Sequence, residues 1–272
     1  MTVIPAQVAG VGRIVGVTPP RPGGPETLIL ATAALLGLEE LITLGGAQAL
    51  AWLAYGEEVD FIAGPGNRFV AEAKRQLVGQ VGIDALAGPT EVLVIADAGA
   101  DPARVAEDLL AQAEHDPDAA AVLVSEDQSF LARVELILRE RVLASPKRDG
   151  LEASLSRHGL LLRADRDLAI AFAQAWAPEH LELQVRDPEA WLPRLSAPSA
   201  IVIGDSSAEA FGDIGAGPIH VRPTNRSARF ASRLRVASFM KRQSLLRLSV
   251  GLEDADDLTR DLAAALARAH GN

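Results

Sequence analysis

The chain has 272 residues, nearly half of them apolar but only 4% aromatic, so its core is built from Ala, Val, Leu and Ile. A formal charge of −10 argues against a phosphate backbone as partner, and the absence of cysteine excludes disulfides and thiolate metal sites, leaving His, Asp, Glu and amide oxygens as metal donors. No apolar run approaches the roughly 20 residues of a bilayer span and the first residues lack a signal-peptide pattern, so a cytoplasmic protein is expected, without membrane or nucleic-acid partners.

In chain order, residues 13–18 read as a short strand, and a Pro/Gly loop then leads into an Ala/Leu helix closed by Gly37. "ELITLG" is a second strand and "GAQALAWLAYG" a helix between glycines. "VDFIAGPG" is a third strand with a Gly turn, followed by a helix for which Asn67 is the N-cap, and "EVLVIAD" at 91–97 is a fourth strand. After the polar joint 97–102 comes the helix "DPARVAEDLLAQAEHD", begun by Asp101 or Pro102, then the strand "AAAVLVSE" and a long amphipathic helix. "GLLLRA" and "SAIVIGD" are further strands, and the span 166–183 between them reads as one helix. The residues from about Ala237 onward read as helical.

Strands alternating with helices through short turns imply right-handed crossovers and parallel sheets. The expected fold is α/β: two Rossmann-like doubly wound units, at 1–97 and 98–236, and a helical tail at 237–272.

Three stretches carry ionisable groups that such a scaffold could use. In "AQAEHD", Gln112 and His115 are three apart on a helix and so share a face, where both could turn to one metal ion or polar ligand; a solvated or hydrogen-bonded His is the plainer alternative. In "APEHLE", Pro178 breaks the preceding helix and sends Glu179 and His180 into a turn or a new helix start, as an acid/base pair or as a first-turn acid and its neighbour. In "FGDIGAGPIH", Asp213 and His220 flank a Gly-rich loop directly after a strand, at the carboxyl edge where open α/β sheets bind ligands. The first half adds the loops 64–67 and 88–91, whose backbone N–H groups suit a diphosphate or carboxylate, although the spacing G-x-G-x-x-G is absent. Gln112, His115 and Asp213, with His220 or His270 as further candidates, form a nitrogen/oxygen donor set suited to zinc or manganese.

Six motifs in order, "GGAQALAWLAYG", "GPGNRFVAEAKR", "GIDALAGPTEVLVIAD", "AEDLLAQAEHDPDA", "APEHLEL" and "GDIGAGPIHVRPT", resemble those of the histidinol dehydrogenase family, from about residue 4 to 242. The resemblance implies that Gln112, His115 and Asp213 bind zinc, that His180 is the base of the oxidations and that Glu179 activates the hydrating water. It implies substrate contacts from His220 and from Thr90, where the family usually has Ser, and NAD contacts from Gln48 and Asn67. The implied reaction is a four-electron oxidation of L-histidinol to L-histidine with two NAD, the last step of histidine biosynthesis, by a homodimer. Against that family the chain reads as a short form, without the usual N-terminal region and part of the tail, with His270 as a candidate replacement for the tail's zinc ligand. Two other readings stand beside it: a partner-dependent or non-catalytic metal-binding module, and a dehydrogenase of another amino alcohol or polyol.

Overall fold

The computed structural model describes residues 1–86, 88–208, 222–244 and 254–270. Residues 1–240 form one compact unit and 241–272 a second.

In the first half of the larger unit, α1 (Val3–Val8) is followed by β1 (Val15–Thr18), α2 (Thr27–Leu35), β2 (Glu40–Thr43) and α3 (Gly46–Tyr55). After these come β3 (Phe61–Ile62), α4 (Arg68–Leu77) and β4 (Gly82–Ile83). β1 pairs with β2 and β3 with β4, both in parallel, as two separate two-stranded ladders. Leu50 and Leu53 of α3 pack with Leu77 of α4, Ile62 and Val81 into a small core. Asn67 caps α4 as expected, its side chain accepting from the Phe69 and Val70 N–H groups.

The larger sheet follows: β5 (Glu91–Ala96), α5 (Pro102–His115), β6 (Ala120–Ser125), α6 (Gln128–Ala144), α7 (Arg148–His158), β7 (Gly159–Arg163), α8 (Arg166–Trp176), β8 (His180–Gln184) and β9 (Ala200–Ile203). Its five strands are parallel in the order β7-β6-β5-β8-β9, so the winding reverses between β5 and β8. α5, α6 and α7 cover one face through Val105, Leu109, Phe130, Val134 and Leu151; α8 covers the other through Ala169, Ile170 and Ala173.

The mixed α/β class with parallel sheets agrees with the sequence reading. Two elements do not. The strand at 91–97, expected to close the first unit, is the centre of the five-stranded sheet. Val92 to Ala96 are buried on both faces, as an all-apolar strand between two helix layers must be. The span 166–183 is not one helix. α8 stops at Trp176, where Ala177 turns left-handed (φ 51°), Pro178 follows, and His180–Gln184 runs on as β8.

Carboxylates cap three helices of this sheet. Asp101, Asp127 and Asp165 accept the first free N–H groups of α5, α6 and α8, and Pro102 sits at the first position of α5. At the carboxyl edge of β5, β6 and β8 lies a cavity of ≈ 500 Å³, lined by Asp97, Glu126, Asp127, Arg166 and Trp191 among others. The second unit contains α9 (Ala255–His270). Among the described residues no helix is long and apolar enough to cross a membrane.

Candidate active site

Glu179 and His180 stand where β8 begins, and Thr90 and Glu91 where β5 begins. The two strands are parallel neighbours with Val92 beside His180, so the two loops entering them meet side by side. The Thr90 hydroxyl donates to Glu179 Oε2 over 2.7 Å, and the Glu91 N–H approaches the same oxygen at 3.4 Å. Glu179 Oε1 lies 3.5 Å from His180 Nε2. Glu179 and His180 are buried, which shields their interaction from bulk water.

A third segment, 222–225, closes over this pair. The Gly88 N–H donates to Thr224 Oγ1 at 2.6 Å, and the Asn225 N–H donates to Glu91 Oε1 at 3.0 Å. Asn225 and Arg226 are both left-handed (φ 52° and 65°), a conformation costing a non-glycine residue on the order of 1 kcal/mol, which these contacts offset. Arg222, buried, places Nη1 2.7 Å from His180 Nδ1 and 3.1 Å from Nε2. Burial pushes the Glu91 carboxyl up to about 7 against the pull of the Asn225 and Glu179 N–H groups, with the Glu179 charge adding to the rise.

These groups lie at the amino edge of the sheet, not the carboxyl edge from which the sequence argument started. α5 runs back toward that edge, ending at His115 just before β6 begins. The strand period of two puts His180, Glu182 and Gln184 on one face of β8, with Leu181 and Leu183 on the opposite face in the α8 core. Gln184 Nε2 donates to Asp108 Oδ2 of α5 at 2.9 Å and to Glu182 Oε2 at 3.0 Å. Burial raises the Asp108 carboxyl above its ordinary range although Glu182 and Gln184 bond to it. One turn further along α5, Gln112 is buried and its Nε2 has no partner among the described residues. His115, three residues on, is exposed, and Glu114 faces out to an ion pair with Lys147.

The donors expected for zinc are therefore placed in part. Gln112 and His115 share α5, while Asp213, His220 and the His270 side chain lie outside the described residues. Among the described residues no group of three or more His, Asp or Glu side chains is arranged to hold a metal ion. What fits a metal at Gln112 is a buried side-chain amide whose oxygen is a suitable donor; the unpartnered Nε2 carries only N–H groups and speaks for no metal.

The NAD candidates sit in the other half, Gln48 in the first turn of α3 and Asn67 at the start of α4, both exposed. The loop before Asn67 is held by several contacts. Gly64 adopts φ 144°, and a Cβ on Gly66 would lie 2.3 Å from Val70. The buried Lys74 Nζ donates to Gly64 O (2.6 Å) and to Asp84 Oδ1 (2.5 Å), and Asp84 Oδ2 accepts from the Gly64 N–H (2.8 Å).

The structure thus brings Thr90, Glu179 and His180 together. Sequence reasoning missed Glu91 and Arg222. A carboxylate heading an otherwise apolar strand was the available signal for Glu91; Arg222 gave none, since it falls in a stretch already rich in arginine.

The sequence pattern of the family described as histidinol dehydrogenase matches residues 1–271. The histidinol dehydrogenase of Pseudomonas aeruginosa is 48% identical over 98% of this chain and 61% of its own length; that of Chromobacterium violaceum is 49% identical over 92% and 58%. The crystal structure of histidinol dehydrogenase from Elizabethkingia anophelis superposes with a TM-score of 0.83 at 37% identity, over 89% of this chain and 57% of that one. The chain spans about three fifths of the length of the curated relatives it matches.

Proposed function

This chain belongs to the histidinol dehydrogenase family, and from that membership together with the site geometry we propose that it oxidises L-histidinol to L-histidine through the aldehyde. The observation that carries the reading is the meeting of Thr90, Glu179 and His180 at adjacent strand starts, where a buried carboxylate and imidazole lie 3.5 Å apart.

Two oxidations separated by a hydration need a base twice and a water activator once. His180 takes the hydroxyl proton of the amino alcohol as the carbinol C–H bond is cleaved. Glu179, oriented by Thr90, takes a proton from the water that adds to the aldehyde. His180, having passed its first proton to solvent, then takes a proton from the resulting hydrate as the second C–H bond is cleaved, which yields the carboxyl group. NAD, when bound, supplies the hydride acceptor for each step, and Gln48 and Asn67 are the residues that would contact it. Zinc, with manganese as the alternative, supplies a Lewis acid for the substrate oxygen when bound, and Gln112, His115 and Asp213 would hold it. His220 is the remaining substrate contact in this reading. The family's homodimer and a cytoplasmic setting complete it.

The test is NADH formation from L-histidinol by the purified chain loaded with zinc or manganese. Turnover that His180→Ala abolishes supports the proposal. Metal binding without turnover at high substrate overturns it in favour of a metal-binding module, and turnover only with another amino alcohol or a polyol overturns the substrate assignment.

A further inference from the structure

We propose that the outward side of α2, with the adjoining β1–β2 ladder, is a docking surface for a polypeptide: the part of the longer histidinol dehydrogenases that this chain does not span.

α2 reads TLILATAAL, and none of its nine residues is buried. Ile29 and Ala33, one turn apart, are half-buried and form its packed side, while Leu28, Leu30 and Leu35 are exposed, Leu28 by 78% and Leu35 by 86%. The Thr32 hydroxyl is spent inside the helix on Leu28 O at 2.7 Å. A helix apolar around its whole circumference belongs in a covered position, because each leucine left in water forgoes about 1.5–3 kcal/mol. The apolar surface continues onto α1. Gln7 Nε2 donates to Leu36 O at the end of α2 over 2.6 Å, and Ile4 and Val8 on either side of Gln7 are exposed as well. Contiguous exposed apolar surface of this kind marks an interaction site.

The strands beside α2 are unfinished in the same way. Among the described residues β1 and β2 pair only with each other, so each keeps an open outer edge. Two parallel strands alone make no stable sheet, and parallel sheets are covered on both faces.

The relatives' length identifies the occupant. The Pseudomonas aeruginosa enzyme matches 98% of this chain with only 61% of its own residues, so about two fifths of it lies outside the match. The Elizabethkingia anophelis structure keeps this fold at a TM-score of 0.83 while 57% of it is covered. Relatives thus add polypeptide to the same scaffold, and the added residues need apolar surface and open strand edges to pack on, which α2 and the ladder offer together.

The surface adjoins the NAD side. β2 ends at Thr43 and α3 begins at Gly46 with Gln48 in its first turn, and a Cβ on Gly45 would lie 2.9 Å from Pro19 Cα, so the ends of β1 and β2 pack together just before Gln48. A segment docked along the ladder stands beside Gln48 and completes the NAD side; this consequence rests on the reading of Gln48 as an NAD contact.

The probe is the part of the Pseudomonas aeruginosa enzyme outside its match to this chain, tagged and co-expressed with it. A one-to-one complex is expected by size-exclusion chromatography with light scattering, with amide exchange in α2 slowed. Leu28→Glu combined with Leu35→Glu is expected to weaken the complex by about a hundredfold or more, whereas Leu143→Glu, at an exposed position of α6, leaves it intact. Absence of a complex, a complex insensitive to the glutamate pair, or unslowed exchange in α2 overturns the proposal. Self-association that the glutamate pair disperses and the probe does not displace gives the surface to a second copy and overturns it too. Should the double variant fail to fold, the exchange of α2 in the unaltered chain with and without probe decides. NAD affinity by calorimetry is expected to rise about tenfold in the complex; a complex that forms without that gain overturns the reading of Gln48 and leaves the docking surface standing.

Discussion

Thr90 and Glu179, 89 positions apart, are joined by a 2.7 Å hydrogen bond from hydroxyl to carboxylate at the point where two adjacent parallel strands begin. Removing the donor leaves Glu179 Oε2, among the described residues, with only the long contact to the Glu91 N–H. Thr90→Val is expected to lower kcat for the overall oxidation by about tenfold and to cost about 1.5–3 kcal/mol, the usual value of a hydrogen bond to a charged group. Thr90→Ser, which keeps the hydroxyl, should retain both. Steady-state NADH formation and urea denaturation check the pair.

The second prediction concerns pH. The Glu91 carboxyl titrates at about 7 in the fold, against 4.5 unperturbed, so between those values the folded state binds more protons than the unfolded chain. Stability contributed by this group is complete below about pH 4.5, falls as pH rises to about 7, and is level above. Asp108, also raised, acts in the same direction. The full Glu91 shift corresponds to about 3 kcal/mol, and partial solvent contact reduces it to roughly 1–2. Glu91→Gln should therefore melt higher than the wild type at pH 8 and with it at pH 4, as followed by circular dichroism.

Gln112 offers a test that separates holding a metal from holding the fold. Its buried Nε2 has no partner among the described residues, so Gln112→Leu removes an unsatisfied polar atom and should leave stability unchanged or raise it by about 1 kcal/mol. Zinc affinity should fall by about tenfold or more in the same variant, measured by competition with a chromophoric chelator. Unchanged affinity would remove Gln112 from the donor set.

Lys74 and Asp84 form a buried ion pair that also grips both backbone atoms of Gly64. Lys74→Met leaves the Asp84 charge uncompensated and should cost about 3–5 kcal/mol in urea denaturation. The loop leading to Asn67 loses its anchor with it, so the NAD dissociation constant measured by calorimetry should rise in that variant at temperatures where it stays folded.

Much of this arrangement could be read before folding because its signals are local. Asn67, Asp101 and Pro102 mark helix starts by side-chain chemistry alone, and all three serve there. The span 166–183 misled because "HLEL" continues an apolar/polar pattern that a helix and a strand both satisfy over four residues; the break came from Ala177 turning left-handed ahead of Pro178. The strand at 91–96 looked like the end of one unit because sequence order carries no record of sheet order. Thr90, Glu179 and His180 were legible as short motifs. Glu91 and Arg222 were not, since what they do depends on partners more than 40 positions away that only the folded chain supplies.

The carboxylates at the carboxyl edge give the sheet an unusual division of labour. Open parallel sheets commonly receive anions there on free helix N-termini, but Asp127 already takes the Ser129 and Phe130 N–H groups, Glu126 that of Arg166, and Asp97 that of Arg186. The chain is its own resident anion at that edge. β5 alone puts six residues, about 20 Å, between it and the Thr90–His180 cluster. Substitutions at Asp97, Glu126 and Asp127 therefore act on the capping of that edge, with no direct contact among the described residues to the cluster at the opposite edge.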